Sequence, residues 1–354
     1  MIRIATTAAD TPGPATSHLL DEHPGYDQSA PALEVAGLSV AFPGDRSPIT
    51  VVDDVGYRVG AGESLAVIGE SGSGKSITVR AVMGILPRQA RVTAGTVRLS
   101  GVDLGALDDA TLRRLRGSAI AMVFQDSLSA LNPVLPVGYQ VAEVFRVHLG
   151  MSRKESNRRA IEMLDRVRIP SPAHRARQYP HEFSGGMRQR VMIAMALSLD
   201  PAVLIADEPT TALDVTVQAQ IMELLAELRS ERNMALVLIS HDLGVVADTA
   251  DEIAVMYGGR IVERAPASEL YREPRHPYTR ALLASIPGKH TRGRRLRVLP
   301  GSPPDPSRLP PGCSFGPRCP HSDEVCLTRP ALQPIRPGRL TACHHSEEVV
   351  ENEC

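Results

Sequence analysis

The sequence predicts a parallel-sheet α/β fold followed by a smaller, cysteine-rich unit, and three observations carry that expectation. From Leu33 onward, short apolar runs alternate with amphipathic stretches, the pattern of strands buried on both faces and covered by other layers. One of these runs, 64–68, leads through a glycine-rich turn into a helical pattern, the order of a strand–loop–helix unit. After about Glu263 the composition turns to Pro and Arg, and all five cysteines fall between Cys313 and Cys354.

Taken in order, residues 1–31 mix Thr, Ala, Pro, Asp and His without apolar periodicity, which predicts a disordered extension. Residues 32–264 read as one α/β domain, with buried strands expected at 64–68, 120–124, 203–206 and 235–239. Helices are expected over 77–86 and 153–167. Another follows Asp214, where Val217, Ile221, Leu224, Leu225 and Leu228 share a face and Asp214 supplies the cap. Residues 265–354 form the second unit. A chain of 354 residues has room for this large and small pair.

Bulk composition excludes some classes of function. The chain is 43% hydrophobic and 22% charged with a formal net charge of -1, so it has a core to bury and no general basic excess for nucleic acid. Its longest nearly apolar run, 191–206, is broken by Asp200 and Pro201 and falls short of the ~20 residues a membrane-spanning helix needs. The N-terminus has no basic start followed by an apolar stretch, which predicts a cytoplasmic location. In that reducing compartment clustered cysteines suit metal better than disulfides.

Gly69-Glu70-Ser71-Gly72-Ser73-Gly74-Lys75-Ser76 fits the phosphate-binding loop pattern in its required strand-to-helix setting. Glycines let backbone N–H groups turn toward phosphate oxygens, and the helix that follows adds the positive end of its dipole. Lys75 is placed to neutralise the β- and γ-phosphates. The Ser76 hydroxyl suits Mg²⁺, a hard cation. Strand 203–206 runs into Asp207 and Glu208, setting two acids at the carboxyl edge where α/β sheets bind ligands. Asp207 would hold Mg²⁺ through water, and Glu208 would polarise an attacking water.

With Ser184-Gly185-Gly186-Met187-Arg188-Gln189 preceding the acidic strand, the chain resembles the ATPases of the ABC transporter family. Gln125 resembles that family's Q-loop, Ala212-Leu213-Asp214 its D-loop and His241 its switch histidine, in the family's order. Phe42, 27 residues before Gly69, resembles the aromatic that stacks on adenine, although a phenylalanine can equally pack a core. The resemblance implies an ABC-type nucleotide-binding domain, with a small helical subdomain between Gln125 and Ser184 that grips a permease. It also implies head-to-tail pairing, in which Ser184 and Gly186 contact the γ-phosphate held by the opposite subunit while His241 senses it. Glu208, His241, Lys75 and Gln125 are the implied catalytic set. Phe42, Gly69, Ser71, Gly72, Ser73, Gly74, Lys75 and Ser76 are the implied nucleotide contacts, with ATP and Mg²⁺ as ligands.

His276-Pro277-Tyr278-Thr279-Arg280-Ala281-Leu282-Leu283 resembles the segment after the cassette in the oligopeptide, dipeptide and nickel branch of ABC importers. The Met-rich stretch 186–195 is similar to the D-type ATPase of that branch. The implied assembly is a heterodimer with an F-type ATPase, two permease subunits and an extracytoplasmic substrate-binding protein, at the cytoplasmic face of the membrane. The implied function is ATP hydrolysis powering import of di- or oligopeptides, with nickel or another small solute as the alternative. Cys313, Cys319, Cys326 and Cys343 lack the short CxxC pairs of zinc ribbons. Four thiolates suit a soft metal. The resemblance implies a [4Fe–4S] cluster; zinc, with His344 or His345 replacing a thiolate, and unliganded thiols are the other readings. Cys354 is expected to be free. A cluster here reads as a staple for a unit with little core, so Cys319→Ser is expected to loosen that unit and spare nucleotide affinity.

Two rival classes are disfavoured. A soluble ABC ATPase acting on DNA or ribosomes would be expected to carry a second cassette or a long heptad insertion, and the chain has neither and only 3% aromatics. The run Arg292, Arg294, Arg295 and Arg297 is local and lacks interleaved aromatics, so it reads as a solvated linker. A cysteine-rich regulatory protein would leave the ordered nucleotide motifs without a role.

Overall fold

The computed structural model describes Leu20 and residues 23–126, 130–211, 213–286, 299 and 301–347. Strands β1 (Leu33–Phe42), β2 (Ile49–Val59), β3 (Ser64–Ile68), β4 (Arg91–Leu99), β5 (Val102–Asp103) and β6 (Ile120–Val123) come first. They are followed by β7 (Val203–Asp207), β8 (Ala235–Ser240), β9 (Glu252–Tyr257), β10 (Arg260–Pro266), β11 (Gln333–Arg336) and β12 (Arg339–Thr341). A four-stranded sheet has the order β2-β1-β4-β5, and an eight-stranded sheet the order β11-β12-β10-β9-β3-β8-β7-β6. From β9 to β6 the larger sheet is parallel.

The four strands expected from sequence are adjacent in that parallel core. The second stops one residue early, at Val123, and leaves Phe124 44% exposed. Their unbroken apolar character has a direct cause. Ala66, Ile68, Leu204, Ala206, Leu236 and Leu238 pack into the core on one face, and Leu65, Val67, Val203, Ile205, Val237 and Ile239 into the core on the other. A strand covered on both sides cannot alternate apolar with polar.

Among the described residues, the helices longer than four residues are α1 (Lys75–Val82), α2 (Asp109–Leu115), α3 (Val137–Leu149), α4 (Arg153–Arg166), α5 (Gly185–Ala196), α6 (Val215–Arg232), α7 (Ala267–Arg272) and α8 (Pro277–Ala284). Residues of α3 to α6 cover one face of the large sheet, while α1 and the antiparallel sheet cover the other. Helix α1 is shorter than the 77–86 pattern, because the chain passes through Gly84 at φ 63 just beyond it. The oxygens of Ser152, Ser184 and Asp214 accept the backbone N–H three residues on and so cap α4, α5 and α6. Each cap stabilises its helix by about 1 kcal/mol.

Two expected boundaries shift. The composition predicts disorder to residue 31, yet Leu20 is buried and the Asp27 N–H donates to the Ser100 carbonyl at 2.9 Å, so 23–31 forms turns against the antiparallel sheet. The rest of the extension lies outside the described residues. The 264/265 boundary falls inside β10, which pairs with β12 through Glu263↔Thr341 and Arg264↔Leu340. The cysteine-rich unit thus continues the main sheet. Ala212, Cys354 and the arginine run 292–297 lie outside the described residues.

Candidate active site

The loop between β3 and α1 runs through Gly72 at φ 81 and Gly74 at φ 103. A Cβ on Gly74 would also lie 2.8 Å from the Val51 carbonyl, so both backbone angle and space require glycine there. Ser71 and Gly72 are exposed at the tip, whereas Ser73 and Lys75 are buried. The Lys75 ammonium donates to the Gly69 and Glu70 carbonyls at 2.6 and 3.0 Å. Burial pulls its pKa down, against the carboxylates of Glu208, Asp207 and Glu70. This is a cation folded onto its own loop.

Next door, Ser76 Oγ donates to Asp207 Oδ1 at 3.1 Å. Asp207 ends β7 and is buried, and burial raises its pKa against the pull of Ser76, Arg80 and Lys75. A carboxylate and a hydroxyl side by side are hard oxygen donors of the type Mg²⁺ prefers.

Glu208 departs from regular strand geometry at φ 47, a left-handed conformation that costs a non-glycine residue about 1–3 kcal/mol. The turn aims its side chain into a cluster. Glu208 Oε2 accepts from Gln125 Nε2 at 2.7 Å and from Thr211 Oγ1 at 2.8 Å, and lies 3.3 Å from His241 Nδ1. Three of the four catalytic candidates thus meet at one carboxylate, whose side chain is 14% exposed against 56% for His241. Thr211 has no place among the residues that the sequence motifs single out. Its signal is its position one turn beyond the acid, with its N–H bonded to the Glu208 carbonyl at 3.2 Å.

The remaining candidates lie elsewhere. Ser184 is exposed and its oxygen accepts from the Met187 N–H, while a Cβ on Gly186 would meet Val217 at 2.5 Å, so α5 packs against α6 at this point. The structure does not bring Ser184 and Gly186 into the cluster around Glu208. Phe42 ends β1, half-buried against the core shared with α1.

Cys313, Cys319, Cys326 and Cys343 line one small cavity together with His276, His344 and His345. All four are free thiols. Burial pushes Cys343 up to about 12 and also raises Cys313 and Cys319. The closest set of donors among the described residues is Asp323, Cys326 and His345, whose atoms lie within 4.8 Å of one another.

A family model for the ABC transporter matches residues 52–211, and a second, for the oligopeptide/dipeptide transporter C-terminal region, matches residues 262–326. The chain is 50% identical over 316 residues to a putative peptide import ATP-binding protein of Brucella abortus, covering 89% of this chain and 95% of that one. It is 49% identical over 311 residues to the oligopeptide transport ATP-binding protein OppD of Salmonella typhimurium, covering 88% and 92%. Among solved structures it is similar to a dimeric ATP-binding cassette in a post-hydrolysis state bound to ADP and Pi. That match has a TM-score of 0.60 and 28% identity, and covers 66% of this chain and 98% of that chain.

Proposed function

Because the chain belongs to the peptide-import ATP-binding proteins of the ABC transporter family and powers an importer by hydrolysing ATP, we propose that residues 69–76, Asp207 and the Glu208 cluster form one half of a composite ATP site. The observation that carries this reading is the convergence of Gln125, Thr211 and His241 on Glu208 Oε2 beside the Ser76–Asp207 pair. Lys75 leaves the Gly69 and Glu70 carbonyls for the β- and γ-phosphates. Phe42 is the candidate stacking surface for adenine. Ser76 and Asp207 would hold Mg²⁺, which would supply neutralisation of phosphate charge. Glu208 takes the proton of the attacking water, with Gln125 and Thr211 fixing its carboxylate and His241 turned to the γ-phosphate.

The other half comes from a partner. Ser184 and the N–H groups that open α5 present donors and a positive dipole end to a γ-phosphate held by the facing subunit. Losing that phosphate removes the anion that bridges the halves and reopens the dimer, a shift between two states. An importer ATPase works with permease subunits and a substrate-binding protein. The Met-rich α5 supports a heterodimer with an F-type ATPase. No helix among the described residues is long and apolar enough to cross a membrane, which fits attachment at the membrane through the permease.

Four thiols sharing one C-terminal cavity form a soft donor set, which together with the resemblance to peptide importers supports the reading of a [4Fe–4S] cluster, with zinc as the alternative. Co-expression with an F-type ATPase and the permease pair, followed by measurement of ATP turnover and metal content, tests the whole reading. Turnover that requires both ATPases, with about four irons per chain, is expected. Full turnover by this chain alone would overturn the heterodimer, and a single zinc would overturn the cluster.

A further inference from the structure

Glu70, the second residue of the phosphate loop, is held through three of its groups. Its N–H donates to the Tyr278 hydroxyl at 2.8 Å. Its carboxylate accepts two bonds from one guanidinium, Arg318 Nη1 to Oε2 at 2.6 Å and Nη2 to Oε1 at 3.1 Å. Its carbonyl accepts from Lys75 Nζ at 3.0 Å and from the Ser73 N–H at 3.2 Å. The first two partners come from far along the chain: Tyr278 lies in the first turn of α8, and Arg318 immediately precedes Cys319.

The surroundings make these ties firm. The Arg318 side chain is 6% exposed, donates also to the Tyr257 hydroxyl at 3.3 Å, and lies over the Tyr257 ring at 5.8 Å. Phe315 packs edge-on against Tyr257 at 5.2 Å and tilted against Tyr278 at 5.5 Å. Phe315 and Arg318 sit in the turn between Cys313 and Cys319, so the cysteine turn, the aromatic block and the loop are packed as one unit. Two parallel N–H···O bonds fix both the position and the orientation of a carboxylate, and the sheltered setting limits screening by salt.

The loop needs such support at one moment in particular. When Lys75 turns to a phosphate, the Gly69 and Glu70 carbonyls lose their shared cation while the loop must keep its curl. The bonds from Tyr278 and Arg318 do not involve Lys75 and so are not given up in that exchange. We propose that Arg318 and Tyr278 are positioning residues for the phosphate loop, so that the folded state of the cysteine-rich unit sets the loop's affinity for nucleotide. This rests on the reading of residues 69–76 as the ATP site.

Binding of a fluorescent ATP analogue to the full-length protein is the test, with iron content and thermal midpoint measured in parallel. Arg318→Ala is expected to raise the nucleotide Kd about tenfold, with Arg318→Lys recovering part of the loss. Since Arg318 acts through Glu70, the double variant Arg318→Ala/Glu70→Gln should bind no more weakly than Arg318→Ala alone. Tyr278→Phe removes one hydroxyl and leaves the ring, so it reads the same brace where Arg318→Ala folds poorly; about a threefold rise in Kd is expected. Effects of Arg318→Ala and Glu70→Gln that multiply would overturn the proposal, as would a Kd within experimental error of wild type in both Arg318→Ala and Tyr278→Phe. Lys75→Ala separates the two levels: unchanged binding in that variant refutes the ATP site itself rather than its brace.

Discussion

Glu208→Gln isolates the chemistry from the binding. The substitution keeps the shape of the side chain and an acceptor oxygen for Gln125 and Thr211, which lie 2.7 and 2.8 Å from Oε2, so the fold should change by no more than about 1 kcal/mol. It removes the carboxylate proposed to take a proton from water. A positioned base contributes about 10²–10⁴ in rate, or roughly 3–5 kcal/mol, and turnover should fall by that factor. Lys75, Ser76 and the loop N–H groups are untouched, so the affinity for ATP should stay within about threefold, or roughly 0.7 kcal/mol. Phosphate release in the steady state measures the first quantity and fluorescent nucleotide titration the second. Size-exclusion chromatography with ATP should show the closed dimer accumulating. Turnover within a factor of about three of wild type, or tight binding without dimer accumulation, would refute the assignment of Glu208 as base.

Thr211→Ala removes one of the donors at Glu208 and should lower turnover about fivefold, roughly 1 kcal/mol, with nucleotide Kd unchanged in the same titration. Glu263→Ala removes the acceptor of the Arg275 and His276 N–H groups at 2.7 and 2.9 Å and leaves the fully buried Arg339 without that partner; unfolding of the C-terminal unit, followed by hydrogen exchange, should become easier by about 3–5 kcal/mol. On the proposed iron–sulfur reading, Cys319→Ser should lower iron content and, through Arg318 beside it, weaken nucleotide binding. Iron chelation of the wild-type protein should reproduce that weakening, and an unchanged iron content in the variant would remove Cys319 from the ligand set.

The strands and the motif residues are legible in the sequence because their signals are local. An unbroken apolar run of strand length is what a strand covered on both faces must look like, and the four runs of this kind form β3, β6, β7 and β8. Asp214 as a cap is legible for the same reason, since the capping oxygen and its N–H are three residues apart. Features that depend on distant pairing leave no such trace. Thr211 is a separate case: it lies three residues from Glu208, but no motif singles it out, and the contact forms where Glu208 turns at φ 47 and brings the two side chains together. The N-terminal turns at 23–31 have no periodicity and are ordered by a bond to Ser100. The cysteine-rich unit looks separable in the sequence because its composition changes after Glu263. Composition says nothing about β12 pairing with β10, or about a guanidinium 248 residues from the carboxylate it holds. For that reason the sequence leads to the expectation that Cys319→Ser would spare nucleotide affinity, whereas the ties between Arg318 and Glu70 argue for the opposite.

Sheet order accounts for how motifs spread along the chain come to one place. Gly69 follows β3, Gln125 comes two residues after β6, Glu208 follows β7, and His241 follows β8. These four strands are neighbours and all parallel, so their carboxyl ends lie along one edge and deliver the loop, the amide, the acid and the histidine there together. Strand β9 lies on the other side of β3 and runs parallel to it, so Tyr257 ends at that same edge, beside the loop. The hairpin into antiparallel β10 then carries β12 and β11 outward, and the turn that bears Arg318 folds back over Tyr257. Attachment of the C-terminal unit at the β9–β10 side is therefore what allows its residues to reach Glu70. The same unit joined beyond β6 would sit three strands away from the loop.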